Sequence, residues 1–324
     1  MKTNMLNKLL IVLTIALALP MFGLSQTVKE AVEAYNAGAS IIKEDPQGAL
    51  EHLYRALEIS EDLEYDCKET KDLAESLIPQ AHYQSAMLLY RQKQMYETLD
   101  QLEKALETSK KYFDKKTQAS VERIIPQLYN QMGNSEYRAD NFDKAINYYK
   151  KAIEIKSDYP DPYLGVSLAY EKMEDYENML VYLKQTIEVA NKANDRSKAE
   201  DAQRKAKGYL LRNGQEAQQA KKHAEAIDWY TKVLEFDNTD GTVYFVLAVS
   251  NSELKNWDKV VEYSELALAK ANGSLDEAGI YYQMGVAYQN QGDTIQACQA
   301  FGNALSGSYR AAAEYQIKEV LKCN

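Results

Sequence analysis

Proline and glycine are scarce in this chain, 6 and 14 in 324 residues. That scarcity disfavours a disordered polypeptide, and it disfavours β-rich folds that need many tight turns. Cysteine and histidine are rarer still, at 3 each. His52, His82 and His223 lie far apart, with no cysteine, histidine or paired acid at ligand spacing, so no metal site is expected. Exposed helix positions are expected for all three. A glycine-rich phosphate loop is absent, and so is a serine nucleophile flanked by glycines. The sequence therefore offers no catalytic, cofactor-binding or metal-binding residue, and a protein that is not an enzyme is expected. Basic charge is short as well: 38 Lys and Arg face 48 Asp and Glu, a formal net charge of -10. Nucleic acid requires a basic surface and anionic lipid attracts the same sign, so neither is an expected partner. The acidity is read as solubility of a large surface.

What is present starts with a targeting pattern. Lys2 and Lys8 precede the apolar run from Leu9 to Leu19, and Pro20, Gly23 and Ser25 follow it. Charged start, apolar centre and small residues at the end are the order of a secretory signal peptide. The run is too short to span a bilayer comfortably. Residues 1–25 are therefore expected to be a cleaved signal, and the mature chain to be exported, periplasmic or extracellular. No cysteine follows the run at once, so a lipoprotein anchor is not expected. No later stretch approaches about eighteen consecutive apolar residues, so the mature chain is expected to lack a transmembrane segment.

The remainder is helix-forming and repetitive. Ala49, Leu53 and Ala56 recur as Thr98, Leu102 and Ala105, and again as Ala145, Tyr149 and Ala152. Met179, Leu183 and Thr186 follow, then Ala226, Tyr230 and Val233, then Val260, Ser264 and Ala267, then Ala297, Phe301 and Ala304. Spacing of four and three keeps each trio on one helical face. The small residues let a second helix come close, and the large one fills the gap. Upstream of each trio stands another small residue: Gly38, Ala86, Gly133, Ser167, Gly214, Ala248 and Gly285. Each unit thus reads as a first helix, a polar turn and a second helix. Acidic pairs such as Glu174-Asp175 fall at the turns and are read as turn and cap chemistry.

This pattern resembles the tetratricopeptide repeat, a 34-residue motif with an aromatic, a small residue and a tyrosine in its first helix and Ala, an aromatic and Ala in its second. The resemblance covers most of residues 30 to 322, with the clearest copies at 126–159, 241–274 and 278–311. It implies an all-α fold, a tetratricopeptide-type α-solenoid of about seven helical hairpins plus a C-terminal capping helix. The chain departs from the basic repeat in its spacing: the first-helix small residues are 48, 47, 34, 47, 34 and 37 apart. The three long spacings predict elongated hairpins. Two carry a shared word, Leu77-Ile78-Pro79-Gln80 and Ile124-Ile125-Pro126-Gln127. The third insertion, 191–206, is rich in Lys, Asp, Glu and Ala and is read as a helical extension where the chain breaks into two lobes. The expected organisation is a signal at 1–25, an N-terminal repeat lobe at 26–190, the extension, a C-terminal repeat lobe at 207–311 and a cap at 312–324. Ala313, Ile317, Val320 and Leu321 should form the covering face of the cap, because a repeat stack needs a terminal element over its last apolar surface.

Cys298 occupies the place of Leu50, Leu99, Ile146, Leu180, Ile227 and Val261 in the other units, so it reads first as a small core residue. Export leaves a Cys298–Cys323 bridge open to the chain, and the spacing does not decide it.

In the tetratricopeptide family the first helices line a concave groove that holds partners. Carried over position by position, the candidates are Tyr83, Met87, Tyr90 and Arg91, then Asn130, Asn134 and Arg138, then Phe245, Val249, Tyr282, Val286 and Gln289. Gly165 and Asp161 stand where the next repeat of a carboxylate-gripping member would place polar and basic groups, so that mode is not expected. The packing residues of the seams are Gly38, Ala49, Ala56, Ala86, Ala105, Gly133, Ala145, Ala152, Gly214, Ala226, Ala248, Ala267, Gly285, Ala297 and Ala304. The resemblance implies a scaffold or adaptor for a protein or peptide partner. The alternative is a structural or assembly factor of the cell envelope that self-associates.

Overall fold

A computed structural model describes residues 27–323 apart from 272 and 274. The expected signal at 1–25 lies outside the described residues. Among those residues the chain is all-helical, with fifteen α-helices and no strand. In chain order they are α1 (Val28–Ile41), α2 (Pro46–Asp62), α3 (Lys68–Arg91), α4 (Met95–Lys111), α5 (Lys115–Arg138), α6 (Phe142–Ile155), α7 (Pro160–Lys172) and α8 (Tyr176–Lys192). Then follow α9 (Arg196–Gln219), α10 (His223–Val233), α11 (Gly241–Glu253), α12 (Trp257–Ala269), α13 (Glu277–Gln291), α14 (Thr294–Asn303) and α15 (Arg310–Tyr315). Odd-numbered helices up to α13 are the first helices of seven hairpins, and α15 is the terminal element.

Two compact units divide the chain, one ending at Tyr129 and the other beginning at Asn130. That boundary falls within the residue range of α5, and residues 191–207, where the sequence suggests a break, belong to the second unit. There α8 packs directly on α9, and residues 196–206 are simply the first part of α9. Aromatic packing closes that junction: Tyr176 stacks on Tyr209 at 4.7 Å, and Tyr209 meets Trp229 edge-on at 6.1 Å.

The long spacings have a common physical form. Helices α3, α5 and α9 each run for 24 residues, whereas α7 and α11 run for 13. Seven residues before Ser167 and Ala248 stand Pro160 and Gly241, the first residues of α7 and α11. Seven before Ala86 and Gly133 stand Pro79 and Pro126, which lie inside their helices. The long helices are therefore ordinary first helices extended backwards by one stretch each. Proline suits the first turn of a helix, where its missing N–H is not needed. Carried into the interior, it denies the carbonyl four residues earlier its donor. The third long helix has Lys207 at the same place. Lys207 Nζ donates to Asp237 Oδ2 and Asp240 Oδ2, each at 2.7 Å, and so ties α9 to the α10–α11 connection. Burial alone would raise the pKa of Asp237; hydrogen bonds from Lys207 and Thr239 overcome it and hold the carboxyl at about 2.

The seams are built as ring on glycine. A Cβ added at Gly133 would lie 2.5 Å from Tyr149 Cε1, and one at Gly165 would lie 2.6 Å from the same atom. Gly214 meets Tyr230 at 2.4 Å and Gly285 meets Phe301 at 2.7 Å in the same way. Tyr149, Tyr230 and Phe301 are almost wholly buried. The small seam residues of the first and second helices, from Gly38 to Ala304, are buried throughout.

After the first hairpin, the first-to-second helix turns share a residue in the left-handed region. Lys93, Asp140, Glu174, Lys221 and Lys255 all adopt positive φ between 57° and 63°, and Gly292 adopts 83°. Each stands seven residues after the small residue of its first helix. Side chains disfavour this left-handed region by about 1–2 kcal/mol, and only Gly292 avoids the cost. Glu174→Gly and Lys221→Gly should each raise unfolding stability by about 0.5–1 kcal/mol after glycine's own entropy is counted; urea midpoints with unchanged slopes would measure it. The aspartates that follow some of these turns cap the next helix: Asp175 accepts from Asn178 N and Asp293 from Gln296 N.

The terminal element covers α13–α14. Ala313 is fully buried against Ala297, Phe301 and Ala304, with Ile317 and Leu321 beside it. Val320, expected on that face, is 43% exposed. The winding changes to π over Gln316–Leu321, and the wider turn takes Val320 off the covering stripe. Cys298 and Cys323 form a disulfide, with Cα atoms 5.8 Å apart, inside the range that a bridge spans without backbone movement. Cys67 is free and buried beside Ala31 and Ile59.

Candidate functional site

The first-helix residues singled out by the sequence fall into three environments. Tyr90, Arg91 and Arg138 are exposed. Tyr83, Met87, Phe245, Val249, Val286 and Gln289 are half-buried. The others are engaged in holding the repeats. Asn130 is buried, and its Nδ2 donates to Tyr159 Oη at 3.2 Å while its Oδ1 has no partner. Asn134 Oδ1 accepts from Tyr149 Oη at 2.8 Å. Tyr282, a groove candidate by sequence, has its ring 5.4 Å from Phe301 and 5.3 Å from Tyr309. Asn130, Asn134 and Tyr282 therefore fix hairpin geometry, because each fills a gap between its own helix and a neighbour.

His82 departs from its expected exposure. It is buried, with Nδ1 donating to Gln101 Oε1 at 2.8 Å and Nε2 accepting from Tyr54 Oη at 2.9 Å. Burial is the main cause that lowers its pKa below the usual histidine value of 6.5. The unfolded chain thus binds this proton more readily than the folded one. The stabilisation is complete above about pH 6.5 and is lost as pH falls through the lower folded value. We expect the melting temperature to drop over that interval, and a His82→Gln variant to lose that part of the pH dependence.

A concavity of about 390 Å³ lies between the first helices α7 and α9. Ser167, Leu168 and Glu171 of α7 form one wall, Tyr176, Met179 and Leu183 of α8 the floor, and Arg204, Lys205, Gly208, Tyr209 and Arg212 of α9 the other wall. The sequence reading missed this site because it treated the start of α9 as a solvated extension. The legible signal was Gly208, a glycine inside a stretch of good helix formers. Lys205 Nζ pairs with Glu171 Oε2 at 3.4 Å, and Arg204 pairs with Asp201. Both pairs are well exposed, where such contacts contribute little. Among the described residues no group of three or more His, Cys, Asp or Glu is placed to hold a metal ion, and no helix is long and apolar enough to cross a membrane.

Residues 133–174 match a family model described as TPR repeat, and residues 278–306 match one described as Tetratricopeptide repeat. The chain therefore carries tetratricopeptide repeats. No curated protein matches it. Among solved structures, it is similar to YrrB, described as a TPR protein with an unusual peptide-binding site, at 14% identity. That match covers 60% of this chain and 91% of YrrB with a TM-score of 0.31. It is also similar to MamA, at 18% identity over 60% of this chain and 96% of that one, with a TM-score of 0.28. A MamA from Desulfovibrio magneticus RS-1 matches at 16% identity over 56% and 93%, again at 0.28.

Proposed function

We propose that this protein is an exported, non-catalytic scaffold that holds a protein or peptide partner on the surface lined by its first helices. The observation that carries the reading is the division of labour within the repeats. The seams consume the small residues and the buried rings, while the first helices still present exposed tyrosine and arginine, as at Tyr90 and Arg138. Tyrosine and arginine are the side chains that most often dominate protein recognition. Export is supported by the signal-like order of residues 1–25 and by the Cys298–Cys323 bridge, since disulfides persist in oxidising compartments. The covered face of the last hairpin weighs against end-to-end stacking of copies there. In-cell cross-linking through a photoreactive residue at position 90 or 138, set against one at position 181 on the second helix α8, tests the partner surface. N-terminal sequencing tests export: a chain beginning at Gln26 supports it, and an intact Met1 in the cytoplasm refutes it.

A further inference from the structure

We infer that Gly208 and the cations around it, Arg204, Lys205 and Arg212, form a docking point for an acidic peptide segment. The inference rests on the first-helix reading of the binding surface and names the chemistry that surface takes between α7 and α9. It starts from a residue the fold does not explain. Gly208 lies in the interior of a 24-residue helix, where glycine is a poor choice because it leaves the unfolded chain more freedom than any other residue. The seam glycines have a reason, since a Cβ at Gly133, Gly165, Gly214 or Gly285 would strike an aromatic ring. At Gly208 a Cβ would meet nothing within 4 Å. Its φ is not in the left-handed region either, so no turn requires it. Gly302 is equally open, but it is the penultimate residue of α14, where helices fray.

A glycine that nothing in its own chain needs makes sense where another backbone must come close. The surroundings say what that backbone carries. Arg204 and Arg212 stand four residues before and after Gly208, one turn away on the same face, and Lys205 stands beside Arg204. All are exposed. Arg212 has no acidic partner among the described residues, so one guanidinium is free for a bidentate carboxylate. The other two cations sit in exposed pairs that a peptide carboxylate can displace. In a chain of net charge -10 such a patch selects an acidic ligand by contrast with its setting. Leu168, half-buried on α7, and Tyr176, exposed at the start of α8, give the same concavity an apolar seat.

The test uses the purified protein and three fluorescein-labelled pools of random decapeptides, with glutamate, serine or lysine fixed at alternate positions, read by anisotropy at low and high salt. The glutamate pool should bind about tenfold more tightly than the lysine pool, and more weakly as salt rises. Gly208→Leu should weaken that binding about tenfold while raising the melting temperature, because leucine is the better helix former. Gly208→Ala, too small to close the approach, should raise the melting temperature and keep binding. Arg212→Glu should weaken the glutamate pool with unchanged melting. A glutamate pool that shows no preference, that ignores both Gly208→Leu and Arg212→Glu, or that fails to bind along with the others overturns the inference. If the serine pool binds instead and Arg138→Ala weakens it, the first-helix reading stands and only the acidic docking point falls.

Discussion

Tyr149→Ala is expected to destabilise the protein by about 3–5 kcal/mol, the range for removing a large buried ring. Tyr149 is 1% exposed, and its ring is the wedge against which both Gly133 and Gly165 close. Glycine cannot fill the space the ring leaves, so the cavity stays open on two sides. The substitution also strips the half-buried Asn134 of its 2.8 Å donor. Burial is the chief cause that pushes the Tyr149 phenol to about 12, which means the neutral, donating form is the one the fold uses. Tyr149→Phe should accordingly cost only about 1 kcal/mol, the price of one hydrogen bond. Urea unfolding of both variants separates the ring from its hydroxyl. Equal costs for the two would show that the wedge reading is wrong.

Reducing the Cys298–Cys323 bridge is the second large effect. The bridge closes a loop with a sequence separation of 25, and loop-closure entropy puts its contribution at about 3.5 kcal/mol. The loss should be local, because repeat stacks share stability only between neighbours. The released segment carries Ala313, Ile317 and Leu321 off Phe301 and Ala304, so the last hairpin should loosen while earlier hairpins hold. Hydrogen exchange with and without reductant, and the same comparison on Cys323→Ser, would map this. Uniform loosening across all hairpins, or none anywhere, would contradict it.

Much of the fold was legible because the seam imposes a period that sequence displays. A trio such as Ala145, Tyr149 and Ala152 serves close helix approach, and its recurrence in seven units displays the seam. The extended helices were also legible as excess spacing, and the shared word that marks two of them places Pro79 and Pro126 in helix interiors. Proline marks where an ordinary first helix starts, and the extension was laid down upstream of it. Side chains facing a partner or a neighbour were harder to separate. Asn130 donates to Tyr159 of the following connection, and Tyr282 lies against both Phe301 of its own hairpin and Tyr309 beyond it. His82 was misjudged for the same reason: its partners Tyr54 and Gln101 lie on other helices, and no local spacing announces them. Gly208 was overlooked because its meaning lies in what is not packed against it.

The account rests on the first helices being the working surface, and one comparison of affinities tests that most directly. Once cross-linking has supplied a partner, its affinity would be measured for the parent chain, for a Tyr90→Ala/Arg138→Ala variant on first helices, and for a Val181→Ala/Lys184→Ala variant on the second helix α8. Tyr90, Arg138, Val181 and Lys184 are all exposed or half-exposed, so melting temperatures should stay close to the parent. The account predicts a loss of about tenfold or more for the first-helix variant, equivalent to about 1.4 kcal/mol, and little change for the other. Normal binding by the first-helix variant together with lost binding by the α8 variant would contradict it and move the partner to the second-helix face.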